Sequence, residues 1–220
     1  MPPPVSRELY WVSLALDALA IVLGLLISWE FSLMVLVYGL VSKAYSHTSI
    51  RIKKFPWLSW LIAGFFQGFF TFMMTLLGIT GDSITDQVLH PRLLTAAFLS
   101  SLLLWGSYPM TQVYQHEEDF NRGDITLSYR LGVLGTFHFT AAVFSLGVLG
   151  YLRYFQYYFS VFQGLIFISF MIPVAIYFGY WYNKVRKDQV VADFDHTMRL
   201  NQVSAICLNI CFLVLLIINH

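Results

Sequence analysis

The chain has 220 residues, 58% of them hydrophobic and 18% aromatic, with only 11% charged, where a soluble domain carries about a quarter. That balance excludes an ordinary soluble domain, and a formal net charge of +1 without a clustered basic surface argues against a nucleic-acid binder. Two cysteines, Cys207 and Cys211, stand four apart in one apolar segment, so they share one side of one helix and cannot bridge each other.

The start, Met1-Pro2-Pro3-Pro4, lacks the basic region and cleavage site of a signal peptide. A hydrocarbon core of about 30 Å needs about 20 apolar residues per helix. Seven stretches answer to that window: 8–28, 31–46, 57–79, 92–112, 131–152, 157–182 and 198–218. The predicted fold is all-α, a polytopic transmembrane helical bundle of about seven spans, with 1–220 forming one domain. Pro56 and Pro91 fall at helix starts, where a missing N–H costs nothing. Pro109 and Pro173 fall inside spans and predict kinks.

Charge placement sets an orientation. Alternating sides along the chain puts Arg7, Lys43, Arg51, Lys53, Lys54, Arg122, Arg130, Lys184, Arg186, Lys187 and Arg199 on one face and only Arg92 and Arg153 on the other. The positive-inside rule makes the first face cytoplasmic, so the N-terminus is predicted inside and the C-terminus outside.

Between the fourth and fifth spans lies a polar island, 108–132, holding Glu117, Glu118 and Asp119. Polar groups at a membrane boundary are costly unless they reach water or bind something. Gln112, Gln115 and Asp119 are spaced three and then four apart, which places them on one face of a helix leaving the membrane. Glu118 stands four before Arg122 and can either bind a ligand or pair with that arginine. Carboxylates beside cations suit Mg²⁺ holding a diphosphate, because Mg²⁺ takes oxygen ligands and keeps phosphate partners; a capped helix end with a salt bridge accounts for the spacing equally well. On the same face, the loop around Tyr45 and Arg51, Lys53 and Lys54 offers cations for phosphate oxygens, or is simply a positive-inside anchor.

The run Asp119-Phe120-Asn121-Arg122-Gly123-Asp124-Ile125-Thr126-Leu127-Ser128-Tyr129-Arg130-Leu131-Gly132 resembles the second aspartate-rich motif of the UbiA-type intramembrane prenyltransferases. There the aspartates are followed by a glycine, then Thr-Leu and Arg-Leu-Gly. The stretch from Tyr45 to Lys54, with Gln67-Gly68 in the next span, is similar to the tyrosine and basic pair after that family's fourth helix.

The resemblance implies a bundle of about nine helices around a cavity open to lipid, of which this chain would supply the last seven. It implies Mg²⁺ as cofactor and an isoprenyl diphosphate and a lipid-soluble acceptor (aromatic, porphyrin or lipid alcohol) as partners. By the same likeness Asp119 and Glu118 are the candidate catalytic and metal-binding acids, with Gln115 as a third ligand. Arg51, Lys53, Lys54, Tyr45, Arg122, Gln112 and Gln115 are then candidates for holding the diphosphate. Gln112 and Gln115 occupy positions where the family usually has acids. The family's first aspartate-rich motif and two helices are not in the sequence, which predicts weak or no turnover by 1–220 alone.

Asp17 lies mid-span, where it must pair, be protonated or face the interior; helix–helix bonding is the expected role. Gln67 is expected near the cavity, Asn201 and Gln202 at its mouth, and His138, Gln163 and Asn209 in interhelical hydrogen bonds. A rival reading is a non-catalytic relative that binds a prenyl lipid or a partner. A seven-helix receptor or retinal protein is disfavoured by the N-inside orientation and by a last span without lysine.

Overall fold

The computed structural model describes residues 7–47, 49–81, 83–88 and 90–218. Eight helices carry the fold among these residues: α1 Arg7–Gly24, α2 Trp29–Ser46, α3 Pro56–Thr80, α4 Ile84–Val88, α5 Pro91–Arg122, α6 Leu127–Tyr158, α7 Val161–Val185 and α8 Phe194–Ile218. Five of them, α3 and α5 to α8, are long and apolar enough to cross a membrane. The helices α1 and α2 are 18 residues each, about 27 Å at 1.5 Å per residue. They form a hairpin interrupted by Glu8, Asp17, Glu30 and Lys43, which is why their apolar character falls below that of the other five.

All seven predicted segments are helical, with boundaries shifted for local reasons. Ser28 accepts a hydrogen bond from the Phe31 amide and starts α2 at Trp29. The turn expected near 153–156 lies instead at 159–160. The aromatic run there keeps packing, with Tyr151, Tyr154 and Phe155 buried, so α6 continues until Ser160 caps α7. Pro56 and Pro91 do open their helices. Pro109 acts more broadly than a kink: α5 is α-helical over Pro91–Ser107, tightens to 3₁₀ over Tyr108–Gln115, and resumes as α over His116–Asn121. The helix α7 runs on through Pro173.

Two glycines shape the half of the bundle that bears the site. In α3 the residues Phe65–Phe70 form a π-helical turn. A Cβ on Gly68 would lie 2.4 Å from the Ser101 Cα, so only glycine lets α5 press this close. Ser101 then uses the opening, accepting from the Phe69 amide and donating to the Gly64 carbonyl, at 2.8 and 2.9 Å. In α6, Gly132 takes φ +71°, ψ 173° and breaks the helix one turn after its start. Thr136 donates to the freed Gly132 carbonyl at 2.8 Å, so the break leaves no orphaned acceptor.

The core lies between α5, α6, α7 and α8. One half gathers Leu99, Leu103, Phe155, Phe167 and Cys211. The other packs Met110 and Val113 of the 3₁₀ segment against Phe137, Trp181 and Leu200. Asp17 pairs with Lys43 across the α1–α2 hairpin, so the mid-span acid has a structural partner. His138 meets the Tyr182 hydroxyl at 2.7 Å between α6 and α7. Gln163 accepts from Ser160 in the α7 cap, whereas Asn209 donates to the Ala205 carbonyl of its own helix rather than across helices.

Candidate active site

Three helix interruptions meet at one end of the bundle. The chain leaves α2 at Ser46, turns through Arg51 in a left-handed conformation (φ +49°, ψ +60°), and makes a 3₁₀ turn at Ile52–Lys54 before α3. A non-glycine residue with positive φ costs energy that the surroundings must compensate. Here the Arg51 guanidinium reaches the 120s loop: Nη2 donates to Asp124 Oδ2 at 3.1 Å and to the Arg122 carbonyl at 3.2 Å, and Nε lies 2.9 Å from Asp124 Oδ1.

Lys53 completes the arrangement. Its Nζ donates to Asp119 Oδ1 at 3.0 Å and lies 3.7 Å from Asp124. Asp119 and Asp124 are 1% and 3% exposed, so both carboxylates are out of solvent and each faces a cation. Two acids and two bases make the cluster neutral, which is what burial at a membrane face demands. The Asp124 amide donates to the Asp119 carbonyl at 2.8 Å, closing the turn that aims both acids the same way.

Two tyrosines border the cluster. Tyr45, at the end of α2, and Tyr108, at the start of the 3₁₀ segment, share a 2.6 Å hydroxyl–hydroxyl hydrogen bond, within electrostatic reach of Asp119. A small pocket of about 100 Å³ beside them includes Gln67 of the π turn. Below the tyrosines the bundle holds a cavity of about 1270 Å³ lined by α3 and α5 to α8, with Met110 of the 3₁₀ segment and Asn201 of α8 in its wall.

The expected site residues divide into two groups. Asp119, Lys53 and Arg51 come together, with Tyr45 alongside. Gln112 is 4% exposed and its Oε1 has no hydrogen-bond partner among the described residues. Gln115 is half-buried and donates to the Tyr114 hydroxyl. Glu118 points to the surface and pairs with Arg122, the i,i+4 bridge that the spacing also allowed. Lys54 is exposed over the Phe55 ring at 5.0 Å, away from the acids. Gln202 is exposed and outside the cavity wall, while Asn201 lines it.

Asp124 and Tyr108 were not singled out in the sequence, although both lie in the polar island. Asp124 follows Gly123, whose φ of +71° makes the turn that carries it to Arg51. A second layer holds the island in place: His116 Nε2 meets Ser128 Oγ at 2.7 Å, and Ser128 Oγ meets Thr136 Oγ1 at 3.0 Å.

Among the described residues no three His, Cys, Asp or Glu side chains gather around one point. Mg²⁺ needs no such cage, since it commonly takes one or two carboxylates and fills its octahedron with phosphate oxygens and water. Asp119 Oδ2 and Gln112 Oε1 are buried oxygens without partners, a donor set that fits a metal arriving with a phosphate ligand.

The sequence model of the UbiA prenyltransferase family matches residues 5–203. The chain belongs to the UbiA prenyltransferase family. Neither a curated protein nor a solved structure gives a significant match. As a UbiA family member with five long apolar helices, it is an integral membrane protein of the prenyltransferase kind.

Proposed function

We propose that this UbiA family member transfers a prenyl group from an isoprenyl diphosphate to a lipid-soluble acceptor, at the cluster formed by Arg51, Lys53, Asp119 and Asp124. The observation that carries the reading is the placement of two buried ion pairs at the same end of the bundle as the Met110 side of a large apolar cavity. A diphosphate needs cations, and its prenyl chain needs apolar space; the fold offers the first at Arg51 and Lys53 and the second in the cavity that Met110 lines.

In this reading Arg51 and Lys53 exchange their carboxylate partners for phosphate oxygens, Arg51 with two N–H groups. The Tyr45 and Tyr108 hydroxyls are further donors to the leaving group. Asp119 and Gln112 would hold Mg²⁺, which when bound supplies positive charge to the departing diphosphate. The allylic C–O bond breaks with its electron pair going to the diphosphate oxygen; the acceptor supplies the pair for the new C–C or heteroatom bond and gives up a proton. Fixed donors aimed at the leaving oxygens stabilise charge without reorganising at the moment of reaction. The site is proposed to face the cytoplasm, with the N-terminus inside and the C-terminus outside.

The full neutralisation of Asp119 and Asp124 also favours a second reading, in which the chain binds prenyl diphosphate without turnover. One assay separates the two: membranes holding the protein are incubated with labelled geranylgeranyl diphosphate, with and without Mg²⁺, and bound label and released diphosphate are counted. Mg²⁺-dependent release that Lys53→Met abolishes supports transfer. Saturable binding without release supports the second reading, and neither binding nor release overturns both.

A further inference from the structure

Among the described residues that line the large cavity, only Arg92 carries a charge. It lies in the first turn of α5, whereas Asp119 lies in the last, so the two stand at opposite ends of the bundle. Arg92 and Ser107 line the same space from positions separated by about 22 Å of helix. The cavity therefore crosses most of a hydrocarbon core of about 30 Å, with the ion-pair cluster near one end and a lone guanidinium at the other.

Helix stability gives no reason for an arginine there. A cation in the first turn of a helix opposes the macrodipole, and none of the ion pairs among the described residues includes Arg92. Its guanidinium lies over the Phe159 ring, 4.4 Å from the centroid, and beside the Tyr154 hydroxyl, on which it acts as a hydrogen-bond donor. These two aromatic groups hold the side chain at the cavity rim and leave N–H groups of its five-donor fork for an anion. Arg153 shows the ordinary alternative, a surface arginine that donates to Gln156 at 3.3 Å and stays outside the cavity wall.

We propose that the Arg92 end of the cavity seats an anionic phospholipid, with its phosphate on the Arg92 guanidinium and one acyl tail in the cavity. Arginine meets phosphate through paired, charge-assisted N–H bonds. The wall beyond it, with Ala96, Phe155, Phe212 and Leu215, is apolar. The one hydroxyl pair among these side chains, Ser100 and Tyr151, is satisfied internally at 2.9 Å. A tail spans one leaflet, about 15 Å, so a seated lipid leaves the Ser107 end of the cavity free. The site is separate from the Asp119 cluster, and it does not depend on transfer chemistry.

The test places the full chain in nanodiscs of equal phosphatidylglycerol and phosphatidylcholine and counts by native mass spectrometry which lipid stays bound. The native protein should retain phosphatidylglycerol in preference, by about tenfold, the low end for a hydrogen bond to a charged partner. Arg92→Gln should abolish the preference, and Arg153→Gln, with the same loss of charge outside the cavity, should keep it. No preference in the native protein, or equal loss in the two variants, overturns the proposal. Glycerol phosphate in large excess, the same anion without tails, should not displace the lipid; displacement would make this a free-anion site and overturn it as well. A phosphatidylglycerol carrying a diazirine in its tail should cross-link to Phe212 or Leu208 of the cavity wall. Cross-links confined to the outward-facing Leu213 and Ile217 would put the tail outside the cavity and refute the seat.

Discussion

Lys53→Met removes the cation that faces Asp119 at 3.0 Å and Asp124 at 3.7 Å. Both carboxylates are nearly inaccessible, so the substitution leaves a buried charge with half its compensation. Deleting one partner of a buried pair typically costs about 3–5 kcal/mol. The Lys53 side chain is 25% exposed, so some solvent reaches the pair, and Arg51 still holds Asp124; the lower end, about 3 kcal/mol, is expected. Adding Asp119→Asn removes the stranded charge and should recover about 2 kcal/mol of that loss. The assay is a double-mutant cycle on unfolding in mixed micelles, with native protein, both single variants and the double. A coupling below about 0.5 kcal/mol, the level expected of independent sites, would refute the buried-pair reasoning. The same proteins probe ligand binding: Lys53→Arg should keep prenyl diphosphate affinity where Lys53→Met loses it.

Asp119→Asn should weaken Mg²⁺-dependent binding of geranylgeranyl diphosphate by about tenfold or more, the range of one charged hydrogen-bond partner. Glu117→Gln, at an exposed position, should change it little, and equal effects would dissolve the distinction between the two faces of this helix. A reporter fused after His220 should be active on the extracytoplasmic side, and cytoplasmic activity would mean the spans are miscounted. At the start of α8, burial opposes ionisation of Asp193, but hydrogen bonds from the His196 amide and ring outweigh it and hold the carboxyl below its usual range. A lowered folded pKa gives stabilisation that is complete above the unfolded value of about 4 and lost as pH falls through the folded one. Asp193→Ala should therefore cost about 1 kcal/mol at neutral pH, as a lost helix cap does. The melting curves of variant and native protein should converge as the pH falls through the lowered folded value and the native carboxyl is protonated.

Hydropathy made the helical class and the seven helical segments legible, because burying the backbone of an apolar stretch in lipid leaves a helix as its one means of satisfying every N–H and C=O. The Asp119 motif and the basic loop were legible as residue types, and the structure brings Lys53 against Asp119 and Arg51 against Asp124. Which acid of the Glu117-Glu118-Asp119 run turns inward was legible only through the Gln112–Gln115–Asp119 spacing. Of the three, Gln112 and Asp119 are buried, whereas Gln115 is half-buried on the Tyr114 hydroxyl. Asp124 was missed for a different reason. Its position depends on the left-handed turn at Gly123 and on Arg51 reaching from a segment 73 positions earlier, and no local period encodes a contact of that kind. The cavity was equally invisible, since Leu103, Phe144 and Phe178 read alike whether they fill a core or line a space.

The strained and irregular backbone explains why the site is where it is. A membrane helix that ran unbroken would carry Asp119 and Lys53 on separate cylinders, each charge needing its own route to water. Left-handed Arg51, the 3₁₀ segment after Ser107 and the break at Gly132 end three regular helices at one depth. Each irregularity frees backbone groups, and each is repaid locally: Arg51 bonds the Arg122 carbonyl, Thr136 the Gly132 carbonyl, and Ser128 ties His116 down. With the helices interrupted, side chains from α2, the Ile52–Lys54 turn, α5 and the loop before α6 converge while their backbones remain satisfied. The π turn in α3 adds a fourth irregularity beside Tyr45, bringing Gln67 into the same small pocket. Irregular backbone at membrane depth is tolerated where protein or a cavity covers it, and here it is concentrated around two buried acids neutralised by a guanidinium and an ammonium. A helix bundle selected for packing alone would gain nothing from Arg51 in a left-handed conformation; a site that holds a guanidinium and an ammonium two residues apart, both aimed at one turn, does.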